Sequence, residues 1–350
     1  MALSHEQPDI VPFSLGFGVN EPVRAQMAPV LGLPNAAAVK SLLESQSDLC
    51  WIAPRYTGPK DRVMRRADGT IVDVWGIERR DMCYGEGTYE EISRYVLADL
   101  TEPEQLAEYR WPSLDWYDYG VLLGLIEASR RDGARAVVIG NANIFETAWY
   151  MRGLENMLVD LVANPEMADA ILSRVEAFYE EFFIRSLDAA KGCVDLVFTS
   201  DDIGQQNGLI MSLELWKRSI QPLHARLCRL IHQAGAKDIY HTDGAVMDAI
   251  PGLIDMGVDV LEALQFDAQG MDPALMKRLY GDRLCFHGGI SVQSTLPFGT
   301  PEQVEREVRD RIDVLGAGGG YLLATSHAVQ AGTPVENVLA FFRAAGRPLI

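Results

Sequence analysis

Asp238-Ile-Tyr-His-Thr-Asp-Gly244 reads as a short strand that delivers two polar side chains to the start of a loop. Residues two apart on an extended strand point the same way, so His241 and Asp243 share a direction. An imidazole and a carboxylate so placed can share one metal ion or one substrate proton. Val197-Phe-Thr-Ser-Asp-Asp202 and Tyr321-Leu-Leu-Ala-Thr-Ser-His327 end in the same way. Apolar runs of this kind recur at 9–16, 48–53, 136–140, 194–199, 237–241, 258–264, 283–287 and 320–325. Such near-continuous runs suit parallel strands buried on both faces. Amphipathic stretches lie between them, Ile171–Asp188 being the clearest. Asp272-Pro273, Thr300-Pro301 and Thr333-Pro334 each set a polar cap before proline at a first helical position. Roughly eight strands alternating with helices predict an α/β chain closed as a (β/α)8 TIM barrel, with its site at the strand ends.

The later spacings are short and regular, whereas 54–135 is long enough to need an insertion. Within it Val63–Glu78 reads as a hairpin turning at Asp68-Gly69. The insertion is expected to cover one end of the barrel, because loops at the strand C-termini build the site. No repeat or linker divides the chain, so residues 1–350 are expected to form a single domain. A net charge of −18 argues against nucleic acid and against a polybasic membrane contact. The five cysteines are scattered without a C-x-x-C pair, and no signal peptide or membrane span is apparent, so a cytoplasmic location is expected.

Three of the six histidines (His241, His287 and His327) fall at predicted strand ends. For His241 and Asp243 the plain alternative is a capped strand followed by a turn at Asp243-Gly244. His287 precedes Gly288-Gly289, where glycine permits close backbone approach of a ligand. Asp201 and Asp202 are adjacent carboxylates at a strand end, where one can raise the other's pKa and serve as general base or substrate anchor. Gln205 follows on the same polar segment, and Asn141 and Asn143 offer neutral hydrogen-bonding groups after another strand. Glu262 lies mid-strand, where an unpaired carboxylate is costly, so it needs a partner such as His241 or a metal.

Taken together, Pro8-Asp-Ile-Val-Pro12, Ser200-Asp-Asp-Ile-Gly-Gln-Gln-Asn-Gly208, His241-Thr-Asp-Gly244, Gly257-Val-Asp-Val260, Phe286-His-Gly-Gly-Ile-Ser291 and Gly318-Gly-Gly-Tyr321 through Thr333-Pro-Val-Glu-Asn337 resemble the uroporphyrinogen decarboxylase superfamily. That superfamily is a (β/α)8 barrel and includes zinc methyltransferases acting on methylated corrinoid proteins. The zinc site of that branch has the form His-x-Cys followed by a second Cys. His241 matches the first position, Asp243 stands at the second, and His327 falls near the third. The resemblance thus implies zinc held by His241, Asp243 and His327, and a methyl group moved between a small substrate and a corrinoid supplied by a partner protein. With both thiolates replaced, the site is harder and suits oxygen ligands or a methoxyl substrate. The alternative it implies is a decarboxylase, with His327 and Tyr240 steering protonation and basic residues of the insertion holding carboxylates. Barrels of this family often pair, so a homodimer is also an expectation.

Overall fold

The computed structural model describes every residue except Glu86, Asp132 and Ala134. Seven parallel strands follow one another in chain order: β1 (Leu49–Ile52), β2 (Ala136–Asn143), β3 (Leu196–Ser200), β4 (Lys237–His241), β5 (Val260–Leu264), β6 (Cys285–Ile290) and β7 (Tyr321–Thr325). The eighth position belongs to the expected strand at 9–16, which survives only as a bridge between Phe13 and Leu323. Pro8 and Pro12 supply no N–H there, so a regular ladder cannot form. Closure rests on a few bonds instead. Ser14 N–H donates to Leu323 at 2.9 Å, and Asp48 N–H donates to Phe13 at 2.8 Å. The Asp48 carboxylate accepts from Phe13 N–H at 2.8 Å, which ties the same residue to the start of β1.

Alternation along the strands sorts the side chains. Leu49, Val138, Leu196, Phe198, Ile239, Val260, Cys285 and Leu322 pack together inside the ring. Their neighbours, among them Val137, Val197, Tyr240, Leu261, Phe286 and Tyr321, belong to the larger core beneath the helices. Stepping two residues from the inner set places Ser200, His241, Glu262 and His287 toward the barrel axis at its C-terminal end. The long helix starts at the Asn164-Pro165 signal and runs over Pro165–Ala190. The expected caps form at Asp272 and Thr300, which accept from Leu275 N–H and Gln303 N–H. Thr333 does not cap; Pro334 is itself extended and the helix begins at Val335.

The insertion builds a four-stranded antiparallel sheet from 64–65, 71–72, 78–84 and 87–94. The turn at Asp68-Gly69 forms as expected, with Thr70 N–H donating to the Asp68 carboxylate at 3.0 Å and Gly69 at φ 86°. The longer hairpin Glu78–Arg94 is additional to that reading. Its Tyr84 hydroxyl donates to Gln330 at 2.7 Å, beside the loop that leaves β7, so the insertion reaches the site end of the barrel. A second tie is Arg152, buried against Asp160 at 2.8 Å and donating to the carbonyls of Leu97, Ala98 and Leu100. Arg152→Met strands the Asp160 charge and three carbonyls. Denaturant unfolding should show a loss of about 3–5 kcal/mol.

Candidate metal and substrate site

His241 leaves the end of β4 pointing inward, with its Nδ1 2.5 Å from Glu262 Oε2. Glu262 is 1% exposed, so the carboxylate that needed a partner has found the imidazole. Its other oxygen lies 3.9 Å from His287 Nδ1, and His287 Nε2 meets the Ser14 hydroxyl at 2.8 Å. His287 Nδ1 is buried and has no hydrogen-bond partner. On the far side of the His241 ring, Nε2 is 3.6 Å from Asp202 Oδ1. Asp243 N–H donates to that same oxygen at 2.8 Å. Ligand atoms of Asp202, His241 and Asp243 all lie within 4.8 Å of one another.

This crowding shifts the protonation of His241, Asp243 and the neighbouring Glu146. Burial opposes the charged form of His241, but the charge and hydrogen bond of Glu262, with Asp243 and Asp202, outweigh it and hold the pKa up to about 10. Burial, then Asp202 and Glu262, push Asp243 up to about 7 against the pull of His241. Glu146, which accepts from the Tyr150 hydroxyl at 2.5 Å, is pushed up to about 8 by burial and then by Asp202 and Asp201. Burial lowers His287 and His327. Several acids thus surround one imidazole, a balance that a bound cation relieves.

The third expected ligand, His327, lies outside the Asp202–His241–Asp243 cluster. His327 stacks on Phe17 with ring centroids 4.7 Å apart, and its ring lies 6.3 Å from that of His241. Asp202 takes that place in the cluster. Asp201 and Asp202 part company: Asp201 is fully buried, and its oxygens accept from Phe145 N–H and Glu146 N–H, each at 2.8 Å. One of them also meets His224 Nε2 at 2.5 Å. Asp201 therefore anchors a helix start and is unavailable as a base. Tyr240 points outward, in the layer beneath the helices, packed against His224. It cannot steer a proton in the barrel.

The remaining expected residues divide similarly. Asn141 lines the central cavity and accepts from the Ser200 hydroxyl at 3.0 Å. Asn143 Oδ1 is instead taken by Thr147 and Tyr179, at 3.1 and 2.9 Å. Gln205 is exposed in a short ladder with Gly208 and reaches the site only through its carbonyl, which accepts from Ala245 N–H. Gly288, at φ 105°, is buried, and its carbonyl accepts from Tyr321 at 2.8 Å. A Cβ there would crowd Leu264 N and the Thr325 carbonyl, so the glycine serves strand packing.

A cavity of about 730 Å³ opens from Asn141, Glu262 and His287 past Phe17, Trp51 and Phe198. Nothing in the sequence singles out these three aromatic residues, or Ser14 and Gln265, as site residues. Only the inward step from Ser200 to Phe198 was available as a signal. Gln265 Oε1 accepts from Gly244 N–H at 2.8 Å and fixes the turn after Asp243.

The family described as uroporphyrinogen decarboxylase (URO-D) matches residues 81–347. The chain belongs to the uroporphyrinogen decarboxylase family. Among similar proteins is the methylated-thiol–coenzyme M methyltransferase of Methanosarcina mazei, 28% identical over 249 residues. That match takes in 70% of this chain and 61% of the relative, so the chain spans less than two thirds of that protein's length. A solved methyltransferase from Methanosarcina mazei superposes with a TM-score of 0.66 at 17% identity, covering 99% of this chain and 96% of that one. The shared fold is the TIM barrel expected from the strand spacing. Within this uroporphyrinogen decarboxylase family member, Ser14, Phe17 and Trp51 lie before the matched residues. Among the described residues, no helix is long and apolar enough to cross a membrane.

Proposed function

We propose that this family member is a methyltransferase that moves a methyl group between a small methylated substrate and a corrinoid carried by a partner protein. The observation that carries the reading is the Asp202–His241–Asp243 cluster, with the buried Glu262 behind His241. A carboxylate on the rear nitrogen of a histidine fixes the tautomer that offers the other nitrogen to a cation. Two carboxylates and one imidazole fit a divalent ion of the zinc or manganese kind, with open positions for substrate. Such an ion supplies Lewis acidity, stabilising charge on the heteroatom that loses its methyl group.

The chain's own residues do the rest. Glu262 holds His241 in register, and Asp243 N–H holds Asp202 Oδ1. Phe17, Trp51 and Phe198 supply an aromatic wall to the cavity, against which the methyl group would lie. In the transfer, the bond from methyl carbon to heteroatom breaks with its electron pair left on the heteroatom, which takes up a proton. The carbon bonds to the electron pair of the reduced corrinoid acceptor.

The decarboxylase alternative receives less support. Arg55, Arg65 and Arg66 of the insertion pair with Asp118, Asp81 and Glu78 and do not line the cavity. The inner site is itself acidic and would repel a polycarboxylate.

The test is elemental analysis of protein purified with zinc or manganese, paired with the consumption of free cob(I)alamin in the presence of methylated donors. About one divalent ion per chain and donor-dependent consumption are expected. Protein that retains neither ion and leaves cob(I)alamin unchanged with every donor refutes the proposal.

A further inference from the structure

The hydrogen bonds at the inner end of the cavity fix the place of one proton. The Ser14 hydroxyl oxygen accepts from Gly16 N–H at 2.9 Å, and its other partner among the described residues is His287 Nε2, at 2.8 Å. A hydroxyl has one proton to give. It goes to Nε2, which therefore accepts, and the imidazole carries its own proton on Nδ1. The far side of the ring agrees. Nδ1 faces Glu262 Oε1 at 3.9 Å, where an N–H is attracted and a bare lone pair is repelled. Burial favours the neutral ring, lowering its pKa against the pull of Glu262.

That Nδ1–H has nowhere to donate. His287 is 1% exposed, its Nδ1 is buried without a partner, and 3.9 Å is too long for a hydrogen bond. Glu262 spends Oε2 on His241 and receives no donor at Oε1 among the described residues. Both residues line the cavity. A donor and a carboxylate oxygen left unmade side by side are costly when buried. Their spacing suits one oxygen set between them. An atom about 2.8 Å from each would see the two at roughly 90°, which an oxygen that accepts one bond and donates another can span.

We propose that His287 and Glu262 form a subsite for one hydroxyl group of the ligand, which accepts from His287 Nδ1–H and donates to Glu262 Oε1. Other polar groups satisfy only half of it. A ketone or ether oxygen cannot donate, an ammonium group cannot accept, and a carboxylate meets the charge of Glu262. The subsite lies behind His241, on the side of the ring away from Asp202 and Asp243. The hydroxyl therefore belongs to a part of the ligand that does not react. Ser14 touches the ring and is not among the cavity-lining residues, so it is a positioning residue that fixes the tautomer. It precedes the residues matched by the family and belongs to this chain's closing segment. The assignment goes beyond methyl transfer and stands without it.

Nitrogen NMR of the full chain labelled in its histidine rings reads the tautomer, with His287→Asn assigning the signal. The wild type should show Nδ1 protonated and Nε2 bare, and Ser14→Ala should return the ring to a mixture. A wild-type ring that leaves Nδ1 bare overturns the proposal. Cyclohexanol and cyclohexanone, which differ only in the ability to donate, are then titrated against the same signal. The alcohol should shift Nδ1 and bind about 10-fold or more tightly than the ketone, the worth of one hydrogen bond to a charged acceptor. Glu262→Gln should narrow that gap, because a neutral amide is the weaker acceptor. Should that chain fail to fold, Ser14→Ala serves in its place and should weaken alcohol and ketone together. Equal affinity for the two in the wild type, as when a water already makes both bonds, overturns the proposal. So does the absence of saturable binding by the alcohol. Neither measurement involves a metal ion or a corrinoid, so the outcome is independent of the methyl-transfer reading.

Discussion

Replacing His241 by Ala is expected to abolish divalent-ion binding, and Glu262→Gln to weaken it by about 10–100-fold. The two differ because they act at different distances from the ion. His241 supplies the nitrogen that faces Asp202 and Asp243, the sole imidazole in the cluster. Its removal leaves two carboxylates without the ligand between them. Glu262 touches only the rear nitrogen, at 2.5 Å, so its loss removes the charge that makes the ring a strong donor and the bond that orients it. Gln keeps the shape and can still accept from Nδ1–H, hence the intermediate effect. Calorimetric titration with zinc or manganese checks both variants, with circular dichroism confirming that the barrel is intact. Equal, wild-type affinity in the two would show that the ion, if bound, sits elsewhere. Loss of affinity in His327→Ala comparable with that in His241→Ala would return His327 to the ligand set and displace Asp202.

The parts of this site legible in the sequence are those governed by strand alternation. His241 follows Ile239 by two residues and Glu262 follows Val260 by two, so all four face the barrel axis. Tyr240 enters only through the decarboxylase alternative that the resemblance implies, and as the residue next to His241 on the strand it faces the opposite way. Neither of two adjacent acids at a strand exit announces which will turn inward. Asp201 is decided by His224, on a helix 23 residues later, and by a helix start near residue 145. That is tertiary information. His327 lies two residues past β7, where backbone direction no longer follows a period, and its ring rests on Phe17. Phe17 and Trp51 belong to no motif. Phe17 follows the 9–16 run, which forms only a bridge at Phe13, and Trp51 lies in the 48–53 run, where the sequence does not disclose that its ring faces the cavity.

One physical theme links the cluster to its surroundings. His241 and Asp243 both hold their protons more tightly in the fold and both offer ligand atoms, so proton and cation compete for the same oxygen and nitrogen. The competition explains why the cluster tolerates its crowding. An ion of charge two offsets the repulsion among the carboxylates of Asp202, Asp243 and Glu262 around His241.

That competition predicts an unusual pH dependence. Folding raises Asp243 from 3.8 to about 7, Glu146 from 4.5 to about 8, and His241 from 6.5 to about 10. Each group therefore binds its proton more tightly in the native than in the unfolded chain. The native state holds the extra protons across that span, so stability of ion-free protein falls as pH rises through these values. Buried Asp238, raised to about 7 chiefly by burial, adds a contribution of the same sign that no ion at the mouth should touch. Acids held low by surface partners, such as Asp61 and Asp68, act only at lower pH. Thermal unfolding of chelator-treated protein should show a melting temperature that declines between about pH 6 and about pH 9. Zinc or manganese should raise the melting temperature more at the upper end, because fewer protons need displacing there. His241→Ala should lose the ion's increment at both ends and keep the part of the decline due to Asp238. An ion-free melting temperature that climbs with pH, or an ion increment identical at both ends, would mean that Asp243 and Glu146 ionise freely in the fold. The site would then lack the crowded charge on which cation binding depends.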